Sequence, residues 1–230
     1  MATRILCDKR LPYPAKVVLS DIGKLIEIQT KGITYDAISG HPDVFCCLVG
    51  DVLVVSPAMP STYTDMFNSL DINWVYGSRP NSHQYPESAL YNAVITDDLL
   101  IHNLSVTDDM IKKLAGNRKQ INVRQGYTRC NLLPLPHDAF ITSDHGIHSV
   151  LTRLGFDTLY TNPKGIRLEG FPNGFIGGAC GICENRVFIA GSLSKYKEGQ
   201  KIKEFLSLHS LTPVELYDGP LFDGGSILFI

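Results

Sequence analysis

Five short apolar strands recur along the chain, each beside a polar hairpin turn: Ile5-Leu6, Val52-Leu53-Val54-Val55, Leu99-Leu100-Ile101, Ala139-Phe140-Ile141 and Val187-Phe188-Ile189. Their starts lie 47, 47, 40 and 48 residues apart, and passing from Val187 through Ile230 back round to Ile5 adds another 48. A repeat at this period belongs to a propeller or an array of supersecondary units. A helical stripe follows each strand, clearest in Tyr63, Met66, Phe67, Leu70 and in Ile147, Val150, Leu151, Leu154, both spaced i, i+3, i+4, i+7. Weaker copies are Met110, Ile111, Leu114; Ile202, Phe205, Leu206; and Val18, Leu19, Ile22. Ser61 and Thr107 stand where N-caps belong, and Gly23, Gly116 and Gly155 follow the last turns. A second strand closes each unit: Leu25 to Ile28, Ile72 to Val75, Ile121 to Val123, Thr158 to Tyr160, Val214 to Leu216.

Five units with one helix each bury their sheets by setting helices outside and strands inside, which makes a ring. Ser226-Ile227-Leu228-Phe229-Ile230 is then expected to pair with Arg4-Ile5-Leu6-Cys7, so that no sheet edge is left at the join. The expected fold class is α/β, a five-bladed pseudo-fivefold propeller in one domain over residues 1–230. Its blades fall near 37–76, 86–124, 125–162, 170–217, and 220–230 joined to 1–30. An open α/β sheet of unrelated elements does not explain the even spacing.

Composition narrows the function classes. With 44% hydrophobic and 19% charged residues the chain can bury a core. A net charge of −2 gives no basic surface for nucleic acid or an anionic membrane. No apolar run approaches the roughly 18 residues needed to span a bilayer. The start, Met1 to Asp8, lacks the apolar region of a secretory leader, so a cytoplasmic location is expected. The six cysteines are then free thiols, buried as small hydrophobes or used as a nucleophile.

Three strings carry candidate chemistry. They are Gly40-His41-Pro42-Asp43-Val44-Phe45; Arg124 to Pro134, which contains Arg129-Cys130-Asn131; and Leu168-Glu169-Gly170 running on to Gly177-Gly178-Ala179. His41 stands before an inner strand, whereas His83, His102, His137, His145, His148 and His209 fall in loops, turns or helix starts. Together with the architecture, these strings resemble the pentein, or guanidino-group modifying, superfamily. Its members include arginine and agmatine deiminases, dimethylarginine hydrolases, amidinotransferases and ribosome-binding factors without chemistry. The order here, His-x-Asp, then cysteine, then Glu-Gly, is a cyclic shift of the order in the arginine deiminases. The resemblance points to a circularly permuted bacterial branch of that superfamily.

The resemblance implies a cysteine-dependent enzyme, a hydrolase or amidinotransferase, acting on a small guanidine or amidine with no cofactor and no metal. Attack on a guanidinium carbon needs an ionised thiol, a proton shuttle and carboxylates for the planar cation. Cys130 would be the nucleophile and His41 the shuttle, with Arg129 beside the thiol to lower its pKa. Asp43, Glu169, Asn173, Arg129 and Asp223 are the candidate substrate-binding groups. Ala179 stands where the deiminase pattern has an aspartate, so a carboxylate must come from elsewhere, and Asp223 is the candidate on the axis. Two other readings stay open. One is a propeller that binds a protein or small ligand without chemistry. The other is a thiol-redox or zinc protein built on Cys180-Gly181-Ile182-Cys183, whose spacing suits chelation. The polar stretch from Gly77 to Glu87 is long enough to act as a lid over the axis.

Overall fold

A computed structural model describes residues 3–230. Residues 1 and 2, which fall within the expected fifth blade, lie outside the described residues. In chain order the elements are β1 (Arg4–Asp8), α1 (Tyr13–Ser20) and β2 (Lys24–Ile28). The one-turn α2 (Pro42–Phe45) follows, leading into β3 (Cys46–Val49), β4 (Val52–Val55), α3 (Ser61–Ser69) and β5 (Trp74–Tyr76). Next come β6 (Val94–Ile95), β7 (Leu99–His102), α4 (Asp109–Ala115) and β8 (Lys119–Asn122). The one-turn α5 (Thr128–Asn131) precedes β9 (Leu132–Leu135), β10 (Ala139–Thr142), α6 (His145–Arg153) and β11 (Thr158–Tyr160). The chain ends through β12 (Cys180–Cys183), β13 (Arg186–Ile189), α7 (Gly199–Leu208), β14 (Thr212–Glu215) and β15 (Leu228–Phe229).

These strands form five separate three-stranded sheets, with β1, β4, β7, β10 and β13 in the middle. Each middle strand pairs antiparallel with an inner strand and parallel with the strand that follows its helix. In the fifth sheet the inner strand comes from the other end of the chain. There Ile5 pairs with Phe229 and Leu6 with Leu228, antiparallel, and Arg4 and Ile230 exchange backbone hydrogen bonds of 3.0 and 2.9 Å.

The apolar runs are continuous because each middle strand is buried on both faces. Alternate side chains go to opposite neighbours: Leu53 and Val55 enter one core while Val54 enters the next, and Val187 and Ile189 part from Phe188 in the same way. Five cores result, each between two sheets. One joins the sheets of β4 and β7, the next those of β7 and β10, then β10 and β13, then β13 and β1. The fifth, with Leu6, Ile26, Phe45, Leu53 and Phe67, joins β1 to β4 and shuts the ring. The molecule is the five-bladed α/β propeller of the pentein fold.

Several local expectations need correction. Asp108, not Thr107, caps α4, accepting from the Met110 amide at 2.9 Å. Ser61 makes no side-chain cap for α3, whose N-cap position is Pro60. Met66 and Leu154 of the helical stripes are exposed, whereas Phe67, Ile147 and Leu151 are buried in the cores and Tyr63, Leu70 and Val150 pack half-buried against them. His102 is not a loop residue. It ends β7, fully buried, and its ring is held by Thr107 and by the Gly126 carbonyl at 2.7 Å, while burial pushes its pKa down to about 4. Among the described residues no helix is long and apolar enough to cross a membrane.

Candidate functional site

Each inner strand begins near the ring axis, so residues just before it are carried there by the fold itself. His41 is the N-cap of α2, held extended at φ −70° and ψ 114° ahead of Pro42, which suits the first helical position. Asp43 follows in the same turn, its amide bonded to the Gly225 carbonyl at 3.1 Å. Cys130 sits in the equivalent one-turn helix α5 before β9, and Asp223 lies in the loop before β15.

These four side chains meet. His41, Asp43 and Asp223 are each 1% exposed and Cys130 is 3% exposed. A ligating atom of His41, of Cys130 and of Asp223 all lie within 4.8 Å of one another. The Cys130 thiol donates to Asp43, 3.3 Å from Oδ1 and 3.1 Å from Oδ2. The imidazole of His41 lies between two carboxylates, with Nε2 3.9 Å from Asp8 Oδ2 and Nδ1 4.0 Å from Asp223 Oδ1. Neither ring nitrogen has a hydrogen-bond partner among the described residues. A buried polar group left unpaired costs about 1–3 kcal/mol.

The electrostatics follow from burial. The Cys130 thiol is raised well above its ordinary pKa by desolvation first, then by the charges of Asp43 and Asp223. Asp223 is itself pushed up to about 6 by burial, against a lowering by His41 and by the amides of Gly225 and Phe175, which donate at 3.0 and 2.9 Å. At Gly178 the backbone leaves room for the Asp223 carboxylate next to Ala179. A Cβ on Gly178 would collide with the Asp223 carboxylate, which lies across its Cα. Gly225, at φ +65°, likewise admits the His41 side chain against its own backbone.

Three further residues of this cluster escaped the sequence reading. Asp8, at the end of β1, holds Arg10 bidentately at 3.0 and 2.6 Å. Asn92 donates its side-chain amide to the Cys130 sulfur at 3.3 Å and accepts from the Cys130 amide at 3.0 Å. Ser226 donates to Asp43 Oδ2 at 2.6 Å. Their one legible signal is position: Asn92 stands just before β6 as Cys130 stands just before β9.

Other predicted residues lie elsewhere. Arg129 lies near enough to feel the charges of Asp43 and Cys130, but its hydrogen bonds go elsewhere. Its guanidinium donates to the carbonyls of Gly177 and Cys180 at 2.9 and 3.3 Å and lines a cavity of about 470 Å³ that opens on the hairpin end of the axis. Glu169 is exposed and lines a different cavity, of about 520 Å³, with Arg10, Tyr35, Asp36, Ala37, Gly170 and Phe171. Asn173 turns its amide back onto the Gly174 carbonyl at 3.0 Å. The first part of the stretch from Gly77 is tied down, since Asp108 takes the Ser78 and Arg79 amides at 3.0 Å and Asn81 donates to Val44 O at 3.0 Å, while Ser82 to Tyr85 are exposed.

The Cys180 and Cys183 pair forms no chelate. The two begin and end the extended β12, roughly 10 Å apart at about 3.3 Å per residue, and pack into different cores. That spacing exceeds the reach of a disulfide. Cys46 and Cys47 likewise diverge into separate cores. Among the described residues the group that could hold a metal is instead His41, Cys130 and Asp223, a nitrogen, sulfur and oxygen set that zinc accepts.

Among curated proteins none matches the sequence. Solved structures do match in fold. An amidinotransferase of the saxitoxin biosynthetic pathway from Microseira wollei superposes with a TM-score of 0.57 at 10% identity, over 93% of this chain and 88% of that one. The dimethylarginine dimethylaminohydrolase of Pseudomonas aeruginosa, complexed with citrulline, gives 0.55 at 9%, over 94% and 93%. The inosamine-phosphate amidinotransferase of Streptomyces griseus gives 0.54 at 11%, over 89% and 75%. A family model matches residues 6–228, and the chain therefore belongs to the family of unknown function DUF6873, on a pentein fold.

Proposed function

We propose that this protein is a cysteine-dependent enzyme acting on a small guanidine or amidine, as a hydrolase or an amidinotransferase. The observation that carries the reading is the meeting of Cys130, His41 and Asp223, from three different inner loops, around a buried imidazole with no partner. The names of the similar structures, amidinotransferases and a dimethylarginine hydrolase, support the same chemistry.

A planar cation entering the cluster would take Asp43 and Asp223 as bidentate acceptors. Its charge offsets the two carboxylates that hold the thiol up, so ionisation of Cys130 follows binding. As sulfur attacks the amidine carbon, the thiol proton passes through His41 to the departing nitrogen, the carbon–nitrogen bond breaks, and a covalent thiouronium remains. Water, or an acceptor amine in a transferase, then attacks that carbon. His41 takes the proton of the incoming group and returns it to sulfur as the carbon–sulfur bond breaks.

The test is alkylation by chloroacetamidine against iodoacetamide, followed by mass spectrometry with a chelator present. Saturable chloroacetamidine labelling of Cys130 is expected, absent in Cys130→Ala and slowed about 100-fold or more in His41→Ala. Labelling of Cys130 no faster than of the partly exposed Cys183 would leave a propeller that binds without chemistry.

A further inference from the structure

Asn92 grips the cluster from the blade of β7, which supplies none of its charged groups. The residue is 0% exposed, and its side chain holds two of the site's loops at once. Oδ1 accepts the Cys130 amide at 3.0 Å, while Nδ2 donates to the Cys130 sulfur at 3.3 Å and to the Asp43 carbonyl at 3.1 Å. Its main-chain carbonyl accepts the Arg129 amide at 2.9 Å. Chemistry dictates the orientation of this amide. Reversed, Nδ2 would face the Cys130 N–H, donor against donor. The donor end therefore faces sulfur, and its two hydrogens go one to each loop.

Part of this is ordinary capping. The amides of Arg129 and Cys130 belong to the first turn of α5, whose N–H groups have no partner inside the helix, and Asn92 receives both. Capping does not account for Nδ2, because a cap at this end needs only acceptors. A donor on sulfur serves a thiolate. The other groups about that sulfur oppose ionisation: burial, Asp43 and Asp223 raise the Cys130 pKa, and the Asn92 hydrogen bond lowers it. A lysine or arginine in this place would hold a thiolate more strongly, yet it would also pair with the two carboxylates and compete with a cationic substrate. A neutral amide stabilises the anion and leaves both negative charges to the substrate.

Taking Cys130 as the nucleophile of the proposed reaction, we propose that Asn92 is a catalytic residue: its Nδ2–H holds the sulfur as a thiolate during attack, and again when sulfur leaves the thiouronium carbon. No proton passes to or from Asn92 in either step, and the proton path stays with His41. The bond to the Asp43 carbonyl fixes the amide in place, so the donor already points to where negative charge develops.

The experiment follows iodoacetamide alkylation of Cys130 from about pH 6 to 9 in the wild type, Asn92→Asp and Asn92→Ala, with the partly exposed Cys183 as internal standard. Loss of a clamp bares a buried thiol and speeds alkylation, whereas loss of a thiolate donor slows it at every pH. The sign of the change separates the two roles. Asn92→Asp keeps the acceptor for the Cys130 amide and replaces the donor with a third carboxylate, so Cys130 should react about tenfold more slowly or less. Asn92→Ala should slow it about threefold or more. Unchanged or faster labelling of Cys130 in either folded variant overturns the proposal. A second measurement leaves position 92 intact: in nitrogen-15-labelled wild type, one of the two Asn92 side-chain proton signals should move downfield as methylguanidine saturates the site, and the movement should vanish in Cys130→Ala. Two unmoved signals at saturation overturn the proposal as well. Failure of chloroacetamidine to label wild-type Cys130 sinks the amidine reading instead, and the iodoacetamide comparison still decides whether Asn92 supports the thiolate.

Discussion

Cys130 and Cys180 stand at nearly the same place in neighbouring blades, one just before β9 and the other opening β12. Both are buried and free, and both are raised in pKa by desolvation. Their neighbours differ in sign. At Cys180 the leading charge is that of Arg129, which lowers the thiol from a value that still reaches about 12. At Cys130 the leading charges are Asp43 and Asp223, which raise it. The site proposed for chemistry is therefore the one whose resting thiol is electrostatically held protonated. What distinguishes it is what surrounds the sulfur: two carboxylates, an open imidazole and Asn92, the receptors a cation needs. A short motif such as Cys-x-x-Cys has no comparable surroundings, since its strand throws the two thiols apart.

The largest test of this contrast is substitution at each cysteine. Cys130→Ala should abolish specific chloroacetamidine labelling, and Cys180→Ala should leave it in place. A Cys180-dependent signal would reverse the comparison.

Asp223 gives the next effect, read in stability. A carboxyl whose folded pKa is raised to about 6 stabilises the fold below its unfolded value and loses that contribution as pH rises through about 6. Between pH 4 and 7 the wild type should therefore lose about 2–3 kcal/mol relative to Asp223→Asn, measured by urea unfolding at each pH. Parallel curves for the two proteins would mean that Asp223 is not the titrating group.

The same variant makes a smaller prediction with two signs. Removing the Asp223 charge removes a cause of the high Cys130 pKa, so uncharged iodoacetamide should label Cys130 about tenfold faster at pH 8. Chloroacetamidine, which uses the charge, should label it more slowly. Movement of both reagents in one direction would show that Asp223→Asn changes access rather than electrostatics.

The smallest effect concerns the pair on β12. Mild oxidation should leave Cys180 and Cys183 without an internal disulfide, and Cys183→Ala should alter stability by no more than about 0.5 kcal/mol. A chain that gains electrophoretic mobility on oxidation through these two residues would contradict the extended β12.

Much of the fold was legible because propeller repeats write their period into the apolar strands. Burial on both faces makes Val52 to Val55 and Val187 to Ile189 stand out, and even spacing forces the terminal strands to meet. His41, Asp43, Cys130 and Asp223 were legible because each precedes an inner strand. Asn92 and Ser226 were not, because each is a lone polar residue whose partners lie far off in sequence: Asn92 and Cys130 are 38 positions apart; Asp8 bonds Arg10 two residues on, and nothing in that local pair shows that His41 lies beside it. Arg129 was legible only by its place beside Cys130; its hydrogen bonds run to the Gly177 and Cys180 carbonyls, 48 and 51 positions off. Glu169 was singled out by a string yet is exposed and lines a separate cavity, on the long loop from Pro163.

The bond from Ser226 to Asp43 links residues 183 positions apart, and the strand carrying Ser226 onward must dock against β1 for it to form. Contacts of such separation carry the largest loop-closure entropy and are slow to establish. The pocket chemistry is thus a clock on the whole chain: in refolding from denaturant, amidine reactivity of Cys130 should return with the last kinetic step, after the blades have already regained their helical signal.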